Sequence, residues 1–258
     1  MAVKLFHKLY PNTNSKEHLI ILHGLFGMLD NWHNMAQKLS EYVNVVSVDQ
    51  RNHGHSPHVD DMSFELMAQD LHELLEDLNI EKVSIMGHSM GGKTAMVFAH
   101  LYPQMIHRLI VVDIAPKTYK PGHTLYFEAF KNIDFSIFDR RSEADMAFAE
   151  IEPNSRIRQF LLKNLQRSEK GYKLKFNLPP IESFYPDMIA ALKFEWPMNI
   201  PCLFLNGGRS QYVLEEDKDD IISYFPLVEF VCIEDAGHWV HAEKPVEFFE
   251  AVKDFLQE

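Results

Sequence analysis

The 258-residue sequence predicts an α/β fold, a mostly parallel central sheet flanked by helices, with a helical cap inserted between core strands. Six apolar runs, at 18–22, 43–48, 82–86, 108–112, 201–205 and 228–233, are short and rich in Val, Ile and Leu. They are continuous rather than alternating, the pattern of strands buried on both faces of a parallel sheet. Longer amphipathic stretches separate them, giving the strand, helix, strand rhythm of a doubly wound sheet. The rhythm stops at about residue 117 and resumes after 196.

Taken in order, residues 1–11 read as a first strand. Lys4, His7 and Lys8 interrupt its apolar residues and no small-residue cleavage site follows, so the segment lacks the core of a signal peptide. Helices are expected at 32–41, 63–78, 90–102, 214–224 and 245–256. Ser63 is suited to cap the second, Pro103 to stop the third, and Pro245 to open the last. The break divides the chain into a core, 1–116 and 197–258, and a cap, 117–196. The cap holds aromatic-rich helical segments, a loop-like 177–180 and no strand of comparable quality, which is how a lid over an active site would look. Its aromatics, Tyr119, Tyr126, Phe127, Phe130, Phe135 and Phe138, fit an apolar slot or an ordinary core equally well. No internal repeat occurs, and no run of about 18 uncharged apolar residues suggests a membrane span.

Composition narrows the partners. A chain of this size with 46% hydrophobic residues buries roughly three-quarters of its unfolded surface without disulfide or metal staples. Twenty-five basic against 37 acidic residues give a net charge of −12, which argues against nucleic acid and against insertion into anionic membranes. The charge is uneven: residues 118–195 carry 12 Lys or Arg and 11 Asp or Glu, the remainder 13 and 26. Within the cap, Arg156, Arg158, Lys163, Arg167, Lys170, Lys173 and Lys175 face one acid, Glu169. A solvated helix and turn is the first reading of that run, and a rim meeting an anionic acyl carrier the second. Cys202 and Cys232 lie in apolar segments and read as reduced, buried thiols of a cytoplasmic protein.

The sharpest signal is Gly87-His88-Ser89-Met90-Gly91, followed by Gly92. It lies between an apolar strand and a helix, the neighbours that a nucleophile elbow requires, and the small flanking residues permit a strained serine. The turn sets the Ser89 hydroxyl at the carboxyl end of the sheet beside a helix N-terminus. A second element, His23-Gly24-Leu25-Phe26-Gly27, follows an earlier strand and suits an oxyanion hole. The expected donors are Leu25 and Met90 N–H, with Phe26 N–H as alternative, and His23 is expected to order the loop. Phe26 and His88 are the expected substrate contacts. His238, after the last strand, is the expected base, with His241 its near competitor.

These segments, with Asp49-Gln50-Arg51-Asn52-His53-Gly54-His55-Ser56 and with Gly237-His238 before Glu243-Lys244-Pro245, resemble the α/β-hydrolase superfamily over the whole chain, and within it the YbfF-type bacterial acyl esterases. The resemblance implies an α/β-hydrolase fold and hydrolysis of small acyl esters, with acyl-CoA thioesters also in view. Asn52 stands where the family has glycine. A larger departure is Asn206-Gly207-Gly208-Arg209-Ser210-Gln211-Tyr212-Val213, where Ser210 occupies the usual place of the acid. A hydroxyl can orient an imidazole but cannot stabilise an imidazolium as a carboxylate does. Asp113, ending the 108–112 strand at the same sheet edge as Ser89, is where some superfamily members carry the acid. It is the expected one, with Ser210 in support; Asp235 and residues 215–217 are weaker alternatives.

Other classes compete less well. His53, His55 and His58 are spaced H-x-H-x-x-H, but a zinc pattern of the β-lactamase type wants aspartate where Pro57 stands, so neither metal nor cofactor is expected. A non-catalytic ligand-binding protein on the same fold would not need nucleophile, base and oxyanion loop together. A lyase of the menaquinone-pathway type keeps its acid at the usual site, which Ser210 counts against, and a serine nucleophile rules out dehalogenation. The sequence therefore points to an acyl-enzyme hydrolysis of a small-molecule ester or thioester.

Overall fold

The computed structural model describes all residues, 1–258. Strands β1 (His7–Tyr10), β2 (His18–Leu22) and β3 (Asn44–Val48), with helix α1 (His33–Leu39) between the last two, start the chain. Helix α2 (Phe64–Asp77), β4 (Val83–His88), α3 (Met90–Leu101) and β5 (Ile106–Val112) follow. The insertion then contributes α4 (Thr124–Asn132), α5 (Arg141–Ala149), α6 (Ser155–Leu162), the short strands β6 (Leu165–Arg167) and β7 (Tyr172–Leu174), and α7 (Leu178–Ile189). The chain closes with β8 (Cys202–Gly207), α8 (Lys218–Tyr224), β9 (Val228–Ile233), the one-turn α9 (Val240–Glu243) and α10 (Pro245–Gln257).

Seven strands form one sheet in the order β1-β3-β2-β4-β5-β8-β9; only β1, antiparallel to β3, departs from parallel pairing. Continuous apolar strands are what such a sheet needs, because each strand feeds two cores. On β2, Ile20 and Leu22 enter one cluster, Leu19 and Ile21 the other; on β5, Leu109 and Val111 face Ile110 and Val112 in the same way. Ser63 caps α2 by accepting the Leu66 N–H at 3.2 Å, and α3 ends one residue before Tyr102 and Pro103.

Several expectations require correction. The first strand is only His7–Tyr10, because it pairs on one side at the sheet edge. The 228–233 run is the opposite edge and not doubly buried: Glu229 and Cys232 are exposed, so only Cys202 is a buried thiol, and both cysteines are free. In the insertion, 177–180 is not a loop but the start of α7. Pro179 and Pro180 fit there because the first N–H groups of a helix need no partner within it. The β6–β7 hairpin is also unforeseen, its three-residue strands being too polar to register as apolar runs.

The insertion joins the core through aromatic packing. Phe26 in the loop after β2 lies 5.2 Å from Phe127, 5.3 Å from Phe130 and 5.1 Å from Phe176, centroid to centroid. Phe127, Phe130 and Phe135 are buried in the same cluster as the sheet residues, so half of the aromatics named from sequence serve as core.

Candidate active site

Four neighbouring strands in sheet order, β4, β5, β8 and β9, lead to Ser89, Asp113, Ser210 and His238 respectively at their carboxyl ends. Ser89 has φ 53° and ψ −118°, outside the regions a non-glycine residue ordinarily occupies. The surrounding packing fixes it there. Its N–H donates to Val112 O at 3.0 Å. A Cβ on Gly87 would lie 2.1 Å from Gly91 O, and one on Gly91 2.6 Å from His23 O, so the elbow closes only with glycine at both positions.

Asp113, also at positive φ (51°), is fully buried one residue beyond β5. Its Oδ1 accepts the Gly207 N–H at 3.1 Å. Its Oδ2 accepts from His238 Nδ1 at 2.7 Å and from the Ser210 hydroxyl at 2.5 Å. Ser210 Oγ in turn accepts the Tyr212 N–H at 3.2 Å. Asp113 therefore takes three donors, and His238 is left with Nε2 as the nitrogen available to a nucleophile. The Tyr212 ring stacks on His238 at 3.9 Å and 20°. Burial pushes the Tyr212 phenol up to about 12, so a neutral ring covers the imidazole. On the other side, His88 Nε2 donates to His238 O at 2.8 Å, and burial holds His88 well below its usual value.

The loop after β2 is held by His23. His23 Nδ1 donates to Gly24 O at 2.9 Å, while its Nε2 accepts the Gln50 N–H at 3.0 Å. Burial lowers the His23 pKa to about 4, keeping the ring neutral in that double role. Phe26, at φ 57°, gives its carbonyl to Asn164 of the insertion at 2.7 Å. The Leu25 N–H is not taken up by any backbone acceptor, and Met90 N–H is the first of α3, where helical partners are lacking.

Leu25, Phe26, His88, Ser89 and His238 line one narrow cleft, with His123, Tyr126, Phe160 and Trp239 from the insertion and the last loop. Leu25, Ser89 and Met90 also line a second, narrow cavity, walled by Lys93, Ile114, Tyr119, Tyr185, Met188 and Tyr212. Phe26 and His88 thus border the cleft, but both side chains are buried and engaged elsewhere, in aromatic packing and in holding the His238 loop. Outside the cleft, a wider groove shares Phe160, Trp239 and His241 with it and carries Arg156 and Lys163. The other basic residues of the run diverge: Arg158 pairs with Asp145, and Arg167, Lys170 and Lys173 line a separate groove at the β6–β7 hairpin.

His241 does not face a carboxylate; it stacks on Trp32 at 3.9 Å, and burial with the nearby His238 lowers its pKa to about 3. The three histidines of the H-x-H-x-x-H run also part company. His53 is bonded to Arg51 O, His55 packs on Phe6 and His58 on Lys175 O; no group of three His, Cys, Asp or Glu side chains could hold a metal ion. Asn52 takes φ 64°, a conformation Asn tolerates better than most side chains, which explains how it replaces glycine. Arg51 is fully buried and donates to both oxygens of Asp70, at 2.6 and 2.7 Å. Tyr212 and Lys93 had no signal in the sequence: their roles depend on contacts with residues far away in the chain.

A serine hydroxyl on a strained turn, an imidazole bonded to a buried carboxylate and two backbone N–H groups without backbone acceptors are the groups that acyl transfer requires. Comparisons with known proteins agree with that chemistry. The chain is 36% identical over 264 residues to the sn-1-specific diacylglycerol lipase ABHD11 of Danio rerio, covering 99% of this chain and 83% of that protein. It is 36% identical over 249 residues to esterase YbfF of Escherichia coli, covering 96% of each. A solved marine microorganism esterase superposes with a TM-score of 0.95 at 41% identity, covering 98% of this chain and all of the other. With the family model for the alpha/beta hydrolase fold matching residues 17–245, the chain belongs to the α/β-hydrolase family.

Proposed function

We propose that the protein is a serine carboxylesterase acting through an acyl-enzyme, with Ser89 as nucleophile, His238 as base and Asp113 as acid. The observation that carries this reading is the 2.7 Å contact of His238 Nδ1 with a carboxylate that is itself fixed by Gly207 and Ser210. His238 Nε2 takes the Ser89 proton as Oγ attacks the acyl carbon, and Leu25 and Met90 N–H receive the oxyanion. The imidazolium then protonates the leaving group. Water, deprotonated by His238, adds to the acyl-enzyme and releases the acid.

Proton return decides which cavity takes which half of the substrate. The leaving group must meet His238, which lines the cleft of Trp239 and Phe160. The acyl group then occupies the second cavity, which Ser89, Met90 and Leu25 border and His238 does not. The lid reading of residues 117–196 fits this division, since the insertion walls both spaces. Arg156 and Lys163 beyond the leaving-group cleft support a thioester or ester whose leaving group carries phosphate or carboxylate, an acyl-CoA among them. Two free thiols are in keeping with a cytoplasmic location.

The test is a hydrolysis panel of acyl lengths and leaving groups, CoA thioesters included, with fluorophosphonate labelling carried out on a separate sample of the same enzyme. Ser89 is expected to take the label, and Ser89→Ala to lose both labelling and turnover. A preference for CoA that vanishes in high salt supports the cationic groove; indifference to the leaving group removes it.

A further inference from the structure

Lys93 stands four residues after Ser89 on α3, is 1% exposed and has no carboxylate partner. Its ammonium donates to three carbonyls, Lys117 O at 3.3 Å, Met188 O at 3.0 Å and Ala190 O at 2.5 Å. Lys117 begins the insertion, and Met188 and Ala190 lie where α7 leaves it, so one side chain ties both connections to the helix that opens at the nucleophile. The connections also pair with each other, Tyr119 N–H to Ile189 O at 2.8 Å and Leu192 N–H to Pro116 O at 2.9 Å. Lys93, Tyr119, Met188 and Ile189 are also walls of the second cavity.

A buried ammonium is costly to keep, and three carbonyl dipoles only partly replace water. A Met or Leu would fill the same volume on an apolar helix, and it would leave the two connections held to α3 by packing alone. The three bonds fix the distance between the far wall of the cavity and Ser89.

We propose that Lys93 is a positioning residue that sets the depth of the acyl pocket and thereby limits the acyl chain the enzyme accepts. This rests on the esterase reading, and specifically on the acyl group occupying the second cavity. Lys93 touches no reacting atom, and Ser89 stays on its elbow without it, because Gly87, Gly91 and Val112 hold that turn. Loss of Lys93 therefore acts on KM and on chain-length preference before it acts on the chemistry.

The experiment compares wild type with Lys93→Met and Lys93→Gln on p-nitrophenyl esters from acetate to dodecanoate, with the active serine of each enzyme counted by fluorophosphonate titration of a separate aliquot. In Lys93→Met the ratio of kcat/KM for dodecanoate to that for acetate is expected to rise at least tenfold, through KM. Lys93→Gln, which keeps a donor, is expected to fall between. A ratio within twofold of wild type in either folded variant overturns the proposal. Should neither variant fold, wild type still tests it, because burial brings the Lys93 pKa down to about 8. The same ratio is then expected to rise between pH 7 and 9 as one donor is lost. Around Lys93, Tyr119 and Tyr212 are shifted up by burial, Lys117 is paired with Asp217, and Lys120, His123 and Tyr185 complete the ionisable wall. A flat ratio across that range overturns the proposal. Failure of wild type to take the fluorophosphonate would instead sink the esterase reading itself.

Discussion

Replacing Asp113 by Asn changes one atom and tests the arrangement of the site. An amide keeps one acceptor, and the Gly207 N–H 3.1 Å from Oδ1 can only donate, so the amide oxygen stays on that side. The amide nitrogen then faces His238 Nδ1 and the Ser210 hydroxyl, 2.7 and 2.5 Å from where Oδ2 stands in wild type. His238 must accept at Nδ1, which puts its proton on Nε2, where it cannot take one from Ser89. The expected loss is about 10⁴-fold in kcat, or about 5.5 kcal/mol of transition-state stabilisation. Ser210→Ala removes one hydrogen bond to a carboxylate that keeps two others, about 1.5–3 kcal/mol, or roughly ten- to a hundredfold. Turnover of p-nitrophenyl butyrate per titrated serine distinguishes the two. An Asp113→Asn enzyme within tenfold of wild type, or a Ser210→Ala enzyme as slow as Asp113→Asn, would refute the assignment of the acid.

Acid should destabilise the fold well above the carboxylate range. Burial lowers His23 to about 4 and His53 to about 3, so below about pH 6.5 the unfolded chain binds protons that the native state refuses. The stability present above pH 6.5 is lost as pH falls toward 4, by about 2 kcal/mol per histidine at pH 5, and urea midpoints unchanged between pH 7 and 5 would contradict this. Asp70→Asn leaves the buried Arg51 guanidinium without its counter-charge and is expected to cost about 3–5 kcal/mol in urea unfolding, far more than an exposed pair such as Lys4 and Asp77. Gly87→Ala drives a Cβ to 2.1 Å from Gly91 O; a loss of about 3 kcal/mol, read as a lower Tm, is expected together with lost fluorophosphonate labelling.

The core was legible where burial demands one kind of residue. The doubly covered strands, from Leu19 to Leu205, must be apolar on both faces, and the elbow must have glycine beside serine. The place of Asp113 was legible because a carboxylate ending β5 comes to the same sheet edge as the serine that ends β4. Legibility failed where partners are distant or the environment is one-sided. Cys232 sits in an apolar run yet is exposed, because nothing in that run says that it lies on the sheet edge. The β6–β7 hairpin turns at Gly171 and sets Leu165, Tyr172 and Leu174 against the core, but with Gln166, Arg167 and Lys173 between them its three-residue strands are too short for that alternation to register. Among the basic residues from Arg156 to Lys175, only the fold separates Arg156 and Lys163, beside the cleft, from those at the hairpin. Tyr212 stacks on a residue 26 positions away, and Lys93 bonds residues 24, 95 and 97 positions away, beyond the reach of any local pattern.

The edge position of β9 makes the site divisible. Ser89 and Asp113 hang on β4 and β5 in the middle of the sheet, whereas His238 follows a strand paired on one side only and half open to solvent. Elements with few buried contacts open at lower free energy than the core strands of a sheet. Detachment of β9 would carry the His238 imidazole away while Ser89 and Asp113 stay in register. On the proposed reading of the site, turnover is then expected to fall on warming before the fold is lost and to return on cooling; activity and far-UV circular dichroism melting together would contradict this.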